Sequence, residues 1–299
     1  MSEEHHWRGV VLTLTVAASF ALNSVLSALA YTGGSNAVSV ITVRNIVALA
    51  ILYVILRMKG VATALPSRQR NAALASGLLM ALYSYGLLGA FEYMPVALAV
   101  ITFYTYPILV AATGWISGRE AFHPQHAIAL VAAFAGLVLA LDIWGTRPHA
   151  LGVALATMAA CGLTVLLMVS AKVRGDSDSR PITLHMLATT TVTYLVVSAV
   201  LGNFALPHTV PGWVGFVGTL ITYTYSVVFM FVALSMIGPL RTSLTMNIEP
   251  VITVVLGYLI LAQGLNLLQI FGIAIVLAAV ISVEALKSHV PAASTSNKA

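Results

Sequence analysis

Long apolar runs separated by short polar connections recur along the whole chain. A window of bilayer-spanning length, ~20 mostly apolar residues, finds ten of them, at about 9–31, 38–56, 71–91, 95–116, 126–144, 150–170, 182–201, 212–236, 239–261 and 266–286. The pattern predicts an all-α integral membrane protein of ten transmembrane helices. The longest connections, Arg57 to Arg70 and Ala171 to Pro181, are polar and basic, and the tail Lys287 to Ala299 is small, polar and expected to be disordered. Met1 to Arg8 is polar and leads into more than twenty apolar residues without a small-residue cleavage site, so it reads as a retained first span and not a removed signal peptide.

Composition narrows the class. Of 299 residues, 60% are apolar and 8% charged, against roughly 25% charged in soluble domains. Ten spans consume about two thirds of the chain, which leaves no room for a sizeable soluble domain. The single cysteine, Cys161, lies in an apolar run and can form neither an intramolecular disulfide nor a Cys/His metal pattern. With no phosphate-cradling glycine loop, nucleophile elbow or metal-ligand cluster, neither cofactor nor metal is expected.

The net charge of +5 is topological. One set of alternate connections holds Arg8, Arg57, Lys59, Arg68, Arg70, Arg119, Lys172, Arg174, Arg180, Arg241, Lys287 and Lys298, and the other holds only Arg147. Twelve against one predicts cytoplasmic N- and C-termini and an even number of spans in a multi-pass protein of the cell membrane. Nucleic acid need not be invoked as a partner.

The chain also repeats itself. Pro107-Ile-Leu-Val-Ala-Ala-Thr-Gly114, with Glu120 and His126, aligns with Pro250-Val-Ile-Thr-Val-Val-Leu-Gly257, with Gln263 and Gln269, at an offset of 143 residues. Asn23 and Arg44 share their spacing with Thr164 and His185 at an offset of 141. Such self-similarity suggests a duplication, with halves 1–148 and 149–299. Five spans per half is an odd number, so the second half enters from the opposite side, as in the inverted repeats of carriers that bind substrate near the midplane.

The chain resembles the drug/metabolite transporter superfamily, EamA type, over essentially its whole length. The resemblance rests on Phe20-Ala-Leu-Asn23-Ser24, on Arg44, on Tyr106-Pro107 to Gly114 and Glu249-Pro250 to Gly257, and on the closing segments Ala129 to Gly136 and Gly272 to Ala279. The tyrosine content and ten-span plan look most like the YddG-type exporters, which implies transport of aromatic and other neutral amino acids. Two departures mark divergence of the halves: Gln263 stands opposite Glu120, and His185 opposite Arg44.

Ionisable groups at membrane depth are functional candidates. Arg44 lies ~18 Å and Glu249 ~15 Å from the cytoplasmic ends of their spans, at similar depth. They can form a structural clamp, with each other or with backbone carbonyls. Alternatively, Arg44 receives a substrate carboxylate while Glu249 meets an amine or carries a proton. His185 faces the same choice between a satisfied core group and proton coupling, whereas His5, His6, His123, His149, His208 and His289 are expected to be solvated. Tyr83 and Tyr85, Tyr104 and Tyr106, and Tyr223 and Tyr225 come in pairs two residues apart, which a helix points ~200° from one another, so at most one of each pair can face a central cavity while the other packs or meets lipid. Tyr83, Tyr104, Tyr106, Tyr223 and Tyr225 are too deep for the interfacial belt and favour a lining with Asn23, Ser24, Thr222 and Asn247, suited to aromatic side chains and to an ammonium through cation–π attraction. Pro107 and Pro250 interrupt equivalent spans and are candidate hinges; Pro95 and Pro239 start theirs. Gly114-Trp-Ile-Ser-Gly118 is a small-xxx-small pattern, for internal packing or a dimer face.

These features predict a secondary transporter exporting amino acids by alternating access, with an exporter of cationic drugs or quaternary amines as the alternative. One intramembrane arginine is thin support for phosphorylated substrates. An intramembrane enzyme would need a catalytic Ser/His or Asp/Asp set on neighbouring spans or metal ligands, and no aspartate lies within a span except Asp142 at the end of the fifth. A small-molecule substrate and the lipid bilayer are the implied partners; no oligomer is implied and a monomer suffices.

Overall fold

A computed structural model of the chain describes residues 3–94, 96–119, 121–141, 149–174, 178–261 and 266–285. Pro95, Glu120, Asp142, Arg147, Gln263 and the tail lie outside the described residues. The ten apolar runs are all helical: α1 (Glu3–Thr32), α2 (Ala37–Met58), α3 (Ser67–Tyr93), α4 (Val96–Phe103), α5 (Tyr106–Ile116), α6 (Pro124–Ala140), α7 (Ala150–Arg174), α8 (Ser179–Leu201), α9 (Val210–Met246), α10 (Ile248–Leu261) and α11 (Leu267–Ala285). Eleven segments make ten spans because two runs are divided. The fourth span is α4 plus α5. The eighth and ninth share α9, which turns at Gly238 (φ 78°, ψ 169°), and the ninth continues as α10 after a break at Asn247. Gly238 is where glycine is required, since an L side chain at that φ costs about 1–2 kcal/mol, and Pro239 then restarts the helix.

Apolarity is uneven. Six helical stretches are long and apolar enough to cross a membrane, while α6, α10 and α11 are shorter apolar helices. The 27-residue α3 is long enough, but its serines, glycines and tyrosines dilute it. Its two close-packed glycines meet protein, Gly77 abutting the Met186 carbonyl and Gly86 the Leu155 carbonyl, and the Ala81 carbonyl accepts a hydrogen bond from the Tyr194 hydroxyl.

The packing runs between halves. The first span packs on the eighth as the third packs on the sixth, α3 packs on α8 as α2 packs on α9, and the second and seventh spans, like the fifth and tenth, meet each other. Exchanging the halves therefore maps the contacts onto themselves. Register confirms antiparallel pairing: Gly9 faces Ile237 while Gly33 faces Gly212, and Gly86 faces Leu155 while Gly152 faces Met94. A tight crossing joins the fifth and tenth spans, where a Cβ on Gly272 would press on the Ala140 amide nitrogen and lie 2.6 Å from the Gly136 carbonyl oxygen. Small residues do this work because lipid offers no hydrophobic drive between helices and close packing must supply it.

The Gly114–Gly118 pattern is not such a contact. Helix α5 stops at Ile116, and Gly118, with φ +67°, lies in the following turn with open space beside it. The turn breaks the helical spacing on which the motif depends.

One end of the bundle gathers the described basic loops. There Arg241 meets His6 at 3.1 Å and the Gln69 amide donates to the Val173 carbonyl. The opposite end is neutral and polar: Asn36 donates to the Asn203 carbonyl, and the His208 amide donates to the Gly33 carbonyl.

Candidate functional site

Two polar clusters lie at mid-depth, and different spans build them. The first joins α1, α2 and α9. The Asn23 amide donates to the Thr219 carbonyl at 3.1 Å and to the Thr222 hydroxyl at 3.2 Å, while its Oδ1 accepts from Arg44 Nη1 at 3.4 Å. The Arg44 guanidinium carbon sits 4.2 Å from the centroid of the Tyr223 ring. That phenol donates in turn to Asn45 Oδ1 at 3.2 Å.

This is thin company for a cation. Among the described residues its one side-chain hydrogen bond is at the outer limit of useful length, Arg44 Nε is buried with no partner, and no ion pair joins Arg44 to Glu249. A clamp between the two charges is therefore absent in this conformation, and backbone carbonyls do not replace it. Cation–π attraction of the half-buried guanidinium to Tyr223 contributes about 0.5–2 kcal/mol.

The second cluster forms where the fourth and ninth spans break. Tyr104 and Thr105 separate α4 from α5 by a tightened turn, the Thr105 amide reaching back to Thr102. Asn247 does the same between α9 and α10, its amide reaching Leu244. The breaks are 143 residues apart, each three residues before its proline, so Pro107 and Pro250 open the second half-helix and do not kink a continuous one. Tyr104 and Tyr106 are both buried, at 4% and 3% exposure, with rings 5.7 Å apart. Both rings are thus packed against protein, and neither meets lipid. Glu249 lies in the first turn of α10, with its carboxyl in electrostatic reach of the Tyr104 and Tyr106 hydroxyls. It is half-buried.

Tyr83 connects the clusters, lying within electrostatic reach of both Arg44 and Glu249. Its ring stacks on Phe103 at 6.4 Å, and Phe103 contacts Tyr104 and Tyr106 at 5.7 and 5.4 Å. Asn23, Arg44, Tyr223, Tyr83, Tyr104, Tyr106 and Glu249 are thus brought into one region.

Other expected residues are elsewhere. Ser24 is exposed and bonds back to Phe20 of its own helix. The neighbour of Asn23 must point about 100° away, which puts the two on different faces. Tyr225 lies on the other side of α9 from Tyr223, bonded to the Thr15 hydroxyl at 2.8 Å. His185 bonds the Pro181 carbonyl through Nδ1 and lines an outer groove between α2 and α8. Asn247 is buried but spends its amide on Ser243 and Leu244 of its own helix. Sequence reasoning missed Asn45 and Phe103. The adjacency of Asn45 to Arg44 was a signal for the first; Phe103 had none, because only the break at Tyr104 turns it inward. Among the described residues no group of three or more His, Cys, Asp or Glu could hold a metal ion.

The model of the EamA-like transporter family matches residues 7–141 and again 150–284. A protein of known crystal structure aligns with TM-score 0.77 over 94% of this chain and 99% of its own at 14% identity, a likeness of fold. No curated protein matches the sequence significantly.

Proposed function

From the premise that the chain belongs to the EamA-like transporter family of small-molecule membrane transporters, we propose that it exports zwitterionic amino acids, with a preference for apolar or aromatic side chains. One observation carries this: two intramembrane charges of opposite sign, Arg44 and Glu249, stand in one region without pairing, with Tyr83, Phe103 and Tyr104 about them. An amino acid supplies both missing partners, its carboxylate to Arg44 and its ammonium to Glu249, and the rings accommodate its side chain. The breaks at Tyr104–Thr105 and Asn247 serve as hinges between the halves 1–148 and 149–299, and Glu249 is the group placed to exchange a proton with the substrate. This reading adopts the narrower likeness to YddG-type exporters, cytoplasmic termini from the basic end of the bundle, and a monomer as the working unit.

The second reading, export of quaternary amines, is favoured by the aromatic surroundings of Glu249 alone. Liposome flux against a panel of amino acids and quaternary amines, with and without a pH gradient, decides between them. Flux of neutral amino acids is expected; flux of amines with none of any amino acid replaces the first reading by the second.

A further inference from the structure

We propose that the groove between α2 and α8 is a binding site for an anionic phospholipid. The groove encloses about 430 Å³ and is lined by Ile46, Leu49, Ala50 and Tyr53 of α2 with Leu184, His185 and Ala188 of α8. That volume is in the range of small-ligand pockets, and the lining is almost wholly apolar. It opens on the outer surface beside exposed Ile51, Val54 and Val192, where bilayer chains lie.

Its polar groups are arranged along one line. Ile46, Ala50, Tyr53 and Arg57 recur at helical spacing, so they form one stripe of α2 running out of the groove toward the basic end. Leu184 and Ala188 share their stripe of α8 with Arg180. Arg57 is exposed and makes no side-chain bond among the described residues, while Arg180 spends Nε and Nη2 on Asp178. Tyr53, 48% exposed, lies one turn inside Arg57, ~6 Å deeper. An acyl chain in the groove would bring an ester carbonyl to the Tyr53 hydroxyl and a phosphodiester to Arg57, the order of groups that a phospholipid presents with depth. Basic positions between spans at such an end suit acidic headgroups. A neutral chain end, detergent or second protein copy would leave Arg57 without a role.

The site joins α2 of the first half to α8 of the second, so its occupancy would bias how the halves sit against each other. It makes no use of the buried site, and its failure leaves the transport reading untouched.

Native mass spectrometry of the full-length protein, delipidated in detergent and titrated with phosphatidylglycerol or phosphatidylcholine, tests it. One phosphatidylglycerol is expected to be retained with clear preference over phosphatidylcholine. Arg57→Gln, at an exposed position that cannot unfold the bundle, should cut that preference about fivefold. Ala188→Trp should remove the bound lipid altogether, and thermal melting in detergent confirms that the variant is folded. Equal retention of the two lipids, preference unchanged in Arg57→Gln, or a dimer in place of a lipid adduct overturns the proposal.

Discussion

The fourth and ninth spans are one element used twice, and they differ where it matters. Both break at the same place, 143 residues apart, and both resume at a proline in the next turn. At the break the first carries Tyr104 and Tyr106, the second Asn247 and Glu249. The second and seventh spans repeat the lesson, since Arg44 reaches the interior while its counterpart His185 is turned into the outer groove. Duplication conserved the backbone and distributed the charges one to each half. A symmetric scaffold thereby presents a polarised candidate site, with a cation on one side and a carboxyl on the other.

Erasing one pole should have the largest effect. Arg44→Leu is expected to lower flux at least ~30-fold, the order of losing one partner of a buried charge contact. It should also raise stability by up to about 1 kcal/mol, because an apolar side chain replaces a half-buried charge whose Nε has no partner. A melting temperature that falls in this variant would mean Arg44 holds the bundle together instead.

Glu249→Gln removes the other pole and keeps the shape. Flux of ammonium-bearing substrates should fall about tenfold to a hundredfold, the order of one charge-assisted hydrogen bond, and the pH dependence of transport should flatten. Retained dependence would move proton coupling elsewhere. Tyr223→Leu should weaken substrate affinity by about 2 kcal/mol at most, through lost orientation of Arg44, whereas Tyr225→Leu leaves affinity unchanged; equal effects in a binding titration would dissolve the distinction between the two faces of α9.

Two substitutions make the second half copy the first in its scaffold. Gly272→Ala restores the residue of the fifth span, Ala129, and should destabilise by about 1–3 kcal/mol in detergent unfolding, since the new Cβ meets the Gly136 carbonyl and the Ala140 backbone. Asp178→Asn restores the neutral cap of α2, Asn36, and should cost only a few tenths of a kcal/mol at neutral pH, because the pair is partly exposed and screened. The Arg180 hydrogen bonds hold the Asp178 carboxyl below the usual carboxylate range. Its contribution is therefore present above about pH 4 and lost as pH falls further. Titrating stability from pH 7 to 3 should bring wild type and variant together; a gap that widens on acidification would contradict that assignment.

Much of the fold was legible along the chain. Apolar runs of span length located all ten helices within a few residues, because a bilayer forces the backbone to satisfy its hydrogen bonds internally. The charge split and the 143-residue repeat marked the basic end and the halves. Arg44 and Glu249 stood out for the same reason, as charge is rare at that depth. What the chain could not express was facing. Ser24 beside Asn23, Tyr225 beside Tyr223, and His185 opposite Arg44 were equal candidates by composition, and helix rotation in the packed bundle separated them.

The sequence by itself determined an all-helical membrane body with a duplicated plan and a short inventory of buried charge, since these follow from hydropathy and spacing alone. Only the tertiary structure decided that the halves interlock, that Tyr104 and Tyr106 are both buried, and that no described carboxylate pairs with Arg44. Those outcomes depend on helix rotation and on contacts more than a hundred residues apart, which no local pattern encodes.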